Sequence, residues 1–215
     1  MKDFVRGMYQ KKNFKVRFIL VNLAVITMGF ALSWLVLVNF GTDPCSCMNI
    51  AIAKKIGLSL GTWQALFNCF LFLFVIWFGK ENIGFGTLAN MFLVGYSYDL
   101  FSWIWSSILP QNLFDAMWLR IPVLIVALII FVFAAAVYMD VKLGTAPYDA
   151  IPFMISEHQH KFSFRIIRMV FDFLVILIGF LFDGNVGVVT ILMALTLGPV
   201  IEFIGNKLSV LVATD

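Results

Sequence analysis

The chain has 215 residues, of which 62% are hydrophobic and 13% charged, and its formal net charge is +3. Soluble domains carry about 25% charged residues, so this composition excludes a globular protein with a water-facing exterior. We therefore predict an all-α membrane protein. Six basic residues precede the first apolar run, and beside a span such residues set orientation, which we favour over nucleic-acid binding. They are Lys2, Arg6, Lys11, Lys12, Lys15 and Arg17.

Apolar runs of about 20 residues, the length needed to cross a bilayer, occur six times. They cover approximately residues 18–40, 60–79, 84–109, 121–141, 164–182 and 187–206. With a cytoplasmic N-terminus, 12 of the 15 Lys and Arg residues fall on the inner side of these spans. Positive residues concentrate on the cytoplasmic side of membrane proteins, so we predict that both termini are cytoplasmic.

A repeat relates the two halves of the chain. Gly41-Thr42-Asp43-Pro44 returns 103 residues later as Gly144-Thr145-Ala146-Pro147. Gly84-Phe85-Gly86-Thr87 returns at the same offset as Gly187-Val188-Val189-Thr190. Between these two blocks one residue is inserted, so the offset there is 104. Each unit holds three spans, and because three is an odd number, the two units must have opposite orientations in the membrane.

The predicted fold is six transmembrane helices in two inverted three-helix repeats, each with a short helix that Gly-Thr-x-Pro initiates. We expect a basic cytoplasmic arm at 1–16, a first repeat at 17–109 and a second repeat at 118–207, together forming one membrane domain. Inverted repeats are found in many secondary transporters, because two similar halves can exchange conformations around a shared site. Duplication can also serve only to build a stable bundle, and small channels use it too.

The paired Gly-Thr-x-Pro and Gly-x-x-Thr blocks resemble those of the YczE-like and YitT-like bacterial membrane proteins, over about residues 17–206. Gly144-Thr145-Ala146-Pro147-Tyr148-Asp149 and Gly198-Pro199 carry the resemblance best. The first half has diverged, since it has Asp43 and Cys45-Ser46 at the corresponding positions. The resemblance implies the fold and a multi-pass location in the bacterial plasma membrane, and it implies no substrate.

The Gly-Thr-x-Pro turns are the first candidate site. Pro is tolerated in a first helical turn, and Thr42 or Asp43, and Thr145, are natural N-caps. We expect short helices at about Pro44–Lys55 and Pro147–Ser156, whose free N–H groups and positive dipole ends attract anions. The sequence leaves open whether they enter the membrane or lie at its surface. The candidate residues are Gly41, Thr42, Asp43, Pro44, Gly144, Thr145, Pro147 and Asp149.

Ionisable residues within apolar spans are costly and are candidates for substrate binding or gating. Asp99 and Glu202 occupy matching places in the two repeats, and Asp172 follows Arg168 by four residues, the spacing of a helical ion pair. Asp99 lies about 22 Å along a helix from Gly84, so we predict two separate clusters. The outer cluster contains Gln64, Asn68 and Asp99, and the inner cluster contains Arg168, Asp172 and Glu202. They could act as two gates, or only tie helices together.

We predict no enzyme activity, because no nucleophile–base motif occurs inside a span, and we predict no metal site and no cofactor. The expected partners are the lipid bilayer and an unidentified small-molecule substrate. The predicted function is a small secondary transporter, working alone or as a homodimer. One alternative is the substrate-binding membrane subunit of a multi-component importer, for which Ala134-Ala135-Ala136 offers a small-residue face to a partner helix. Another is a regulatory membrane protein whose basic arm binds anionic lipid.

Overall fold

The computed structural model describes residues 13–110, 112–159 and 161–212, with side chains described up to residue 200. Most of the predicted basic arm, and the side chain of Glu202, lie outside this part. Within it the chain forms eight α-helices, one short 3-10 helix at Lys80–Asn82 and no strand. The α-helices are α1 (Phe14–Val38), α2 (Pro44–Ile56), α3 (Leu60–Phe78), α4 (Phe85–Ile108), α5 (Met117–Asp140), α6 (Pro147–His158), α7 (Phe164–Leu181) and α8 (Val188–Val212).

Three of these helices, α1, α3 and α5, are long and apolar enough to cross a membrane. Large apolar side chains also cover the outer surface, as expected for groups that face lipid. Leu73, Ile129 and Leu181, for example, are 62%, 63% and 69% exposed. The chain is thus an all-helical membrane protein within the part that the structure describes.

The helices of the second half begin at nearly constant distances along the chain from those of the first. Helices α5, α6 and α8 start 103 residues after α1, α2 and α4, and α7 starts 104 residues after α3. The repeat in the sequence therefore extends to the order and the starting points of the helices.

Helices α1 and α5 pack against each other, and the start of each contacts the end of the other. Arg17 Nη1 donates a hydrogen bond to the carbonyl oxygen of Val141 at 3.1 Å. Arg120 Nε and Nη2 donate to the carbonyl oxygen of Val38 at 2.9 and 2.6 Å. Carbonyls at a helix end have no partner within the helix, so the arginines satisfy them. The two helices are therefore antiparallel. The two contacts are equivalent, because the two arginines are 103 residues apart and so are the two valines.

The small residues of α5 face the interior of the chain. Ala134, Ala135 and Ala136 are all buried, together with Phe131 and Tyr138 on the same helix. The prediction that this alanine run offers a face to a partner helix is therefore wrong. The run lies inside the protein, on the helix that packs against α1 and α8.

The Gly-Thr-x-Pro turn of each half contacts the glycine-rich turn of the other half. The backbone N–H of Gly86 donates to the carbonyl oxygen of Leu143 at 2.7 Å, and that of Val189 donates to Phe40 at 3.1 Å. The donors are 103 residues apart and so are the acceptors, so these two bonds are also equivalent. Two first-turn N–H groups, which a helix leaves without partners, are satisfied across the halves.

Glycine is required where these turns meet. Gly41 and Gly144 have φ angles of +97° and +106°, in the left-handed region that a Cβ disfavours. A Cβ on Gly144 would also meet the backbone nitrogen of Gly84. Each turn thus needs a residue without a Cβ, both for its positive φ angle and for its close contact with the backbone of the other half.

Candidate functional site

Helices α2 and α6 start at the prolines of the two Gly-Thr-x-Pro turns, as the sequence predicts. Asp43 is the N-cap of α2, and its Oδ2 accepts a hydrogen bond from the N–H of Ser46 at 3.0 Å. The prediction that Thr145 caps α6 is wrong. Because Pro147 is the first helical residue, the N-cap is Ala146, which has no side-chain acceptor, and no side chain caps this helix.

Both short helices begin in the protein interior and end at its surface. Pro44 and Pro147 are buried, whereas Lys55 and His158 at the other ends are exposed. At the end of α2, Lys55 Nζ donates to Asp183 Oδ2 at 2.8 Å. This hydrogen bond raises the pKa of Lys55 and lowers the pKa of Asp183. The helices therefore run outward, with their N-termini directed inward.

A cavity of about 550 Å³ lies between the two helix starts. This volume falls in the range of about 300–1,000 Å³ found for small-molecule sites. The polar lining residues come from both halves and include Asp43, Cys45, Ser46, Gln64, Asn68, Asn90, Tyr148, Asp149 and Arg168. The apolar lining includes Met28, Val94, Phe131, Phe153, Phe164, Met169 and Leu197.

Arg168 holds two carboxylates beside this cavity. Its Nη1 donates to Asp149 Oδ1 at 2.6 Å, and its Nε donates to Asp172 Oδ2 at 3.0 Å. Tyr148 Oη donates to the other oxygen of Asp172 at 2.7 Å, and the guanidinium carbon lies 5.3 Å from the Tyr148 ring centroid. The predicted Arg168–Asp172 pair is confirmed, and Asp149 extends it to a triad. Charge-assisted bonds of this kind fix the position of α7 against the start of α6.

Gln64 and Asn68 occupy the positions in the first half that Arg168 and Asp172 occupy in the second, since each pair is 104 residues apart. Both amides line the same cavity as Arg168. The prediction of separate outer and inner clusters is therefore wrong for these residues. The helices that carry them meet at the cavity because α2 packs against α7, and α6 packs against α3.

Two buried acceptor atoms in the cavity lining have no hydrogen-bond partner within the described part of the chain, namely Asp43 Oδ1 and Gln64 Oε1. Asp43 and Gln64 are only 7% and 6% exposed. Buried polar atoms are almost always paired in folded proteins, so an unpaired one calls for an explanation. Here both atoms belong to residues that line one cavity.

Asp99 lies apart from the cavity lining. Its carboxylate accepts hydrogen bonds from the N–H groups of Leu60 and Gly61, at 3.2 and 2.8 Å, at the start of α3. Asp99 thus acts as a cap for α3 from the neighbouring helix α4. Its counterpart Glu202 lies outside the described side chains.

Other lining residues did not stand out in the sequence as site residues. Tyr148 follows Pro147 in the turn motif, and its burial with a polar tip could have been suspected there. Asn90 and Ser46 are single polar residues within apolar or mixed segments, and their spacing gives no signal. Among the residues described, no group of three His, Cys, Asp or Glu side chains is arranged to hold a metal ion.

The exposed residues of the lining all come from the second half, and the charged ones among them are Lys142 and Arg165. The lining residues contributed by the first half, such as Asp43 and Asn68, are instead buried or half-buried. The cavity therefore reaches the protein surface among residues of the second half.

Comparison with known proteins gives a family but no activity. A family model described as a family of unknown function, DUF6198, matches residues 15–206. An uncharacterised protein of Haemophilus influenzae is 29% identical over 194 residues, which cover 89% of this chain and 83% of that protein. The uncharacterised protein YyaS of Bacillus subtilis is 21% identical, over 82% of this chain and 86% of its own.

The uncharacterised membrane protein YczE of Bacillus subtilis is 22% identical, over 76% of this chain and 73% of its own length. The predicted resemblance to YczE-like membrane proteins is thereby confirmed. No solved structure matches the chain.

Proposed function

We propose that this chain, which belongs to the family of unknown function DUF6198, is a small secondary transporter whose substrate binds in the cavity between α2 and α6. The observation that carries the proposal is the convergence of two equivalent helix starts, one from each half, on a single ligand-sized cavity. Broken or short helices that begin beside a central site are typical of transporters with inverted repeats. The proposed activity is movement of the substrate and involves no covalent step.

The proposed architecture has six spans, formed by the six helices of 18 to 25 residues. In this arrangement α2 and α6 cross only part of the membrane, each preceded by a loop that enters it. Such irregular backbone is tolerated at membrane depth where protein or a water-filled cavity surrounds it. The antiparallel contact of α1 with α5, which are equivalent helices, supports opposite orientations for the two halves.

The proposed orientation has both termini in the cytoplasm of a bacterium, with the protein in the plasma membrane. Lys142 and Arg165 then lie on the cytoplasmic side, in accord with the distribution of positive charge in membrane proteins. The cavity would be open to the cytoplasm in this structure, because these exposed residues belong to its lining. Exchange of conformation between the equivalent halves would open it to the other side.

A single-cysteine chain tests this proposal without knowledge of the substrate. Cys45 lines the cavity, whereas Cys47 is buried and Cys69 is exposed on α3. In a Cys47→Ala/Cys69→Ala chain, a charged methanethiosulfonate reagent is applied to one side of sealed vesicles of known orientation. A transporter predicts that Cys45 reacts from either side, because each conformation exposes the cavity to one compartment.

The matched control retains Cys69 and carries Cys45→Ala and Cys47→Ala. Because Cys69 faces outward from the helix bundle, a charged reagent should label it poorly from both sides. Labelling of Cys45 from one side only, under conditions that leave the vesicles sealed and the protein folded, would refute alternating access. It would then favour a receptor or regulatory role for the cavity.

A further inference from the structure

We infer that the cavity binds a small organic cation, a protonated primary amine with an apolar body, whose ammonium group donates hydrogen bonds to Asp43 Oδ1 and Gln64 Oε1. The inference rests on the proposed function and names the substrate class of that same site.

The two acceptor atoms require a donor that the described part of the chain does not supply. Asp43 Oδ2 already accepts from Ser46, which leaves Oδ1 available, and Gln64 Oε1 is buried without a partner. An unpaired buried acceptor is destabilising, more so when it is charged. Both residues line the cavity, and the proposed ammonium group supplies the donor that the two atoms lack.

The charge balance favours a cation. Arg168 is paired with Asp149 and Asp172, and within the described residues Asp43 belongs to no ion pair. Together with Asp172, the lining holds four carboxylates (Asp43, Asp140, Asp149 and Asp172) and three cations (Lys142, Arg165 and Arg168), of which Lys142 and Arg165 are exposed. One negative charge remains in excess, and a buried carboxylate is stable only when it is compensated. An anion at the start of α2 is disfavoured, because the carboxylate of Asp43 already occupies that helix terminus.

The rest of the cavity favours an apolar body on the amine. Val94, Phe131, Phe153, Phe164 and Met169 line it, and Phe153 stacks on Phe164 with ring centroids 4.4 Å apart. Apolar and aromatic walls with a few placed polar groups are typical of small-molecule sites. A branched aliphatic or aromatic amine matches both parts of the lining.

The test uses nine probe molecules, in which each of three apolar groups carries an amine, a carboxylic acid or an amino acid. The amines are 3-methylbutylamine, 2-phenylethylamine and tryptamine. The acids of the same bodies are 4-methylpentanoate, 3-phenylpropionate and indole-3-propionate, and the amino acids are leucine, phenylalanine and tryptophan. Binding to the purified full chain is measured by calorimetry in potassium phosphate, which contains no competing amine, and then with sodium chloride added.

Asp43→Asn is the decisive variant, because asparagine also caps a helix and so keeps the local fold while removing the charge. It should weaken binding at least about tenfold, as expected for loss of a hydrogen bond to a charged group. Asp99→Asn is the matched control and should bind as the native chain does. Gln64→Leu should weaken binding less than Asp43→Asn.

The inference stands if amines bind, their matched acids do not, and only the cavity variants weaken binding. Binding of the amino acids alone would contradict it, because a zwitterion carries no net positive charge. It is overturned if an acid binds as tightly as its amine, if Asp43→Asn binds normally, if sodium ions alone occupy the site, or if none of the nine probes binds. Failure of the transport proposal is separate, because it appears as one-sided labelling of Cys45, which requires no ligand.

Discussion

Replacement of Arg168 by glutamine probes the balance of charge beside the cavity. One cation contacts two carboxylates there, so the Asp149–Arg168–Asp172 triad has a net charge of −1. Arg168→Gln would leave −2, and the side chain of Asp172 is only 4% exposed. Removing one partner of a buried ion pair costs about 3–5 kcal/mol, because the remaining charge is uncompensated. We expect Arg168→Gln to lower the free energy of unfolding by about this amount.

Asp172→Asn is the informative companion, since Arg168 then keeps Asp149 and the group becomes neutral. This change should cost less, about 1.5–3 kcal/mol, the contribution of a hydrogen bond between charged groups. The double variant Arg168→Gln/Asp172→Asn places in the second half the residues that the first half has at 64 and 68. It should be more stable than Arg168→Gln alone, because only the partly exposed Asp149 remains charged.

The three variants can be compared by equilibrium unfolding in mixed micelles of detergent and dodecyl sulfate, followed by fluorescence of the six tryptophans. The coupling energy comes from the double-mutant cycle. Uncompensated charge is not the cause if Asp172→Asn destabilises the protein as much as Arg168→Gln, or if the two effects simply add in the double variant.

Two further predictions concern groups outside the cavity. Gly144→Ala should lower the free energy of unfolding by about 1–3 kcal/mol, because the new Cβ meets the opposite turn and the backbone φ is positive. Gly57→Ala, where φ is +74° and no atom lies within 4 Å of the new Cβ, isolates the backbone part and should cost only about 1 kcal/mol by the same unfolding assay. Asp99→Ala should cost about 1–3 kcal/mol, because two N–H groups of α3 lose their acceptor, and calorimetry should find amine binding unchanged.

The positions of the helices could be predicted from the sequence. Apolar runs of span length and the proline of each Gly-Thr-x-Pro turn are local signals, and they predicted the start of α2 at Pro44 and of α6 at Pro147. The Arg168–Asp172 pair followed from a spacing of four residues on one helix. These features depend on neighbours in the chain and therefore need no knowledge of the tertiary structure.

Which residues come together at the cavity could not be predicted in the same way. The predicted clusters came from distances along separate helices, and such distances do not tell which helices pack together. Gln64 lies beside the cavity because α3 packs against α6 of the other half. Arg17 and Arg120 have carbonyl partners more than 80 residues away in the chain, for which the sequence gives no signal. Sequence alone could name the polar residues in the spans, but not their common cavity.

The exchange of hydrogen bonds between the two turns also has a consequence for biosynthesis. The N–H of Gly86 has its acceptor on Leu143, which the ribosome adds 57 residues later. At about 5–20 residues per second, the first half waits roughly 3–11 s for that acceptor. During this interval the first turn of α4 lacks this hydrogen bond, so the first half cannot complete that turn by itself. The start of α4 is thereby linked to synthesis of the second half.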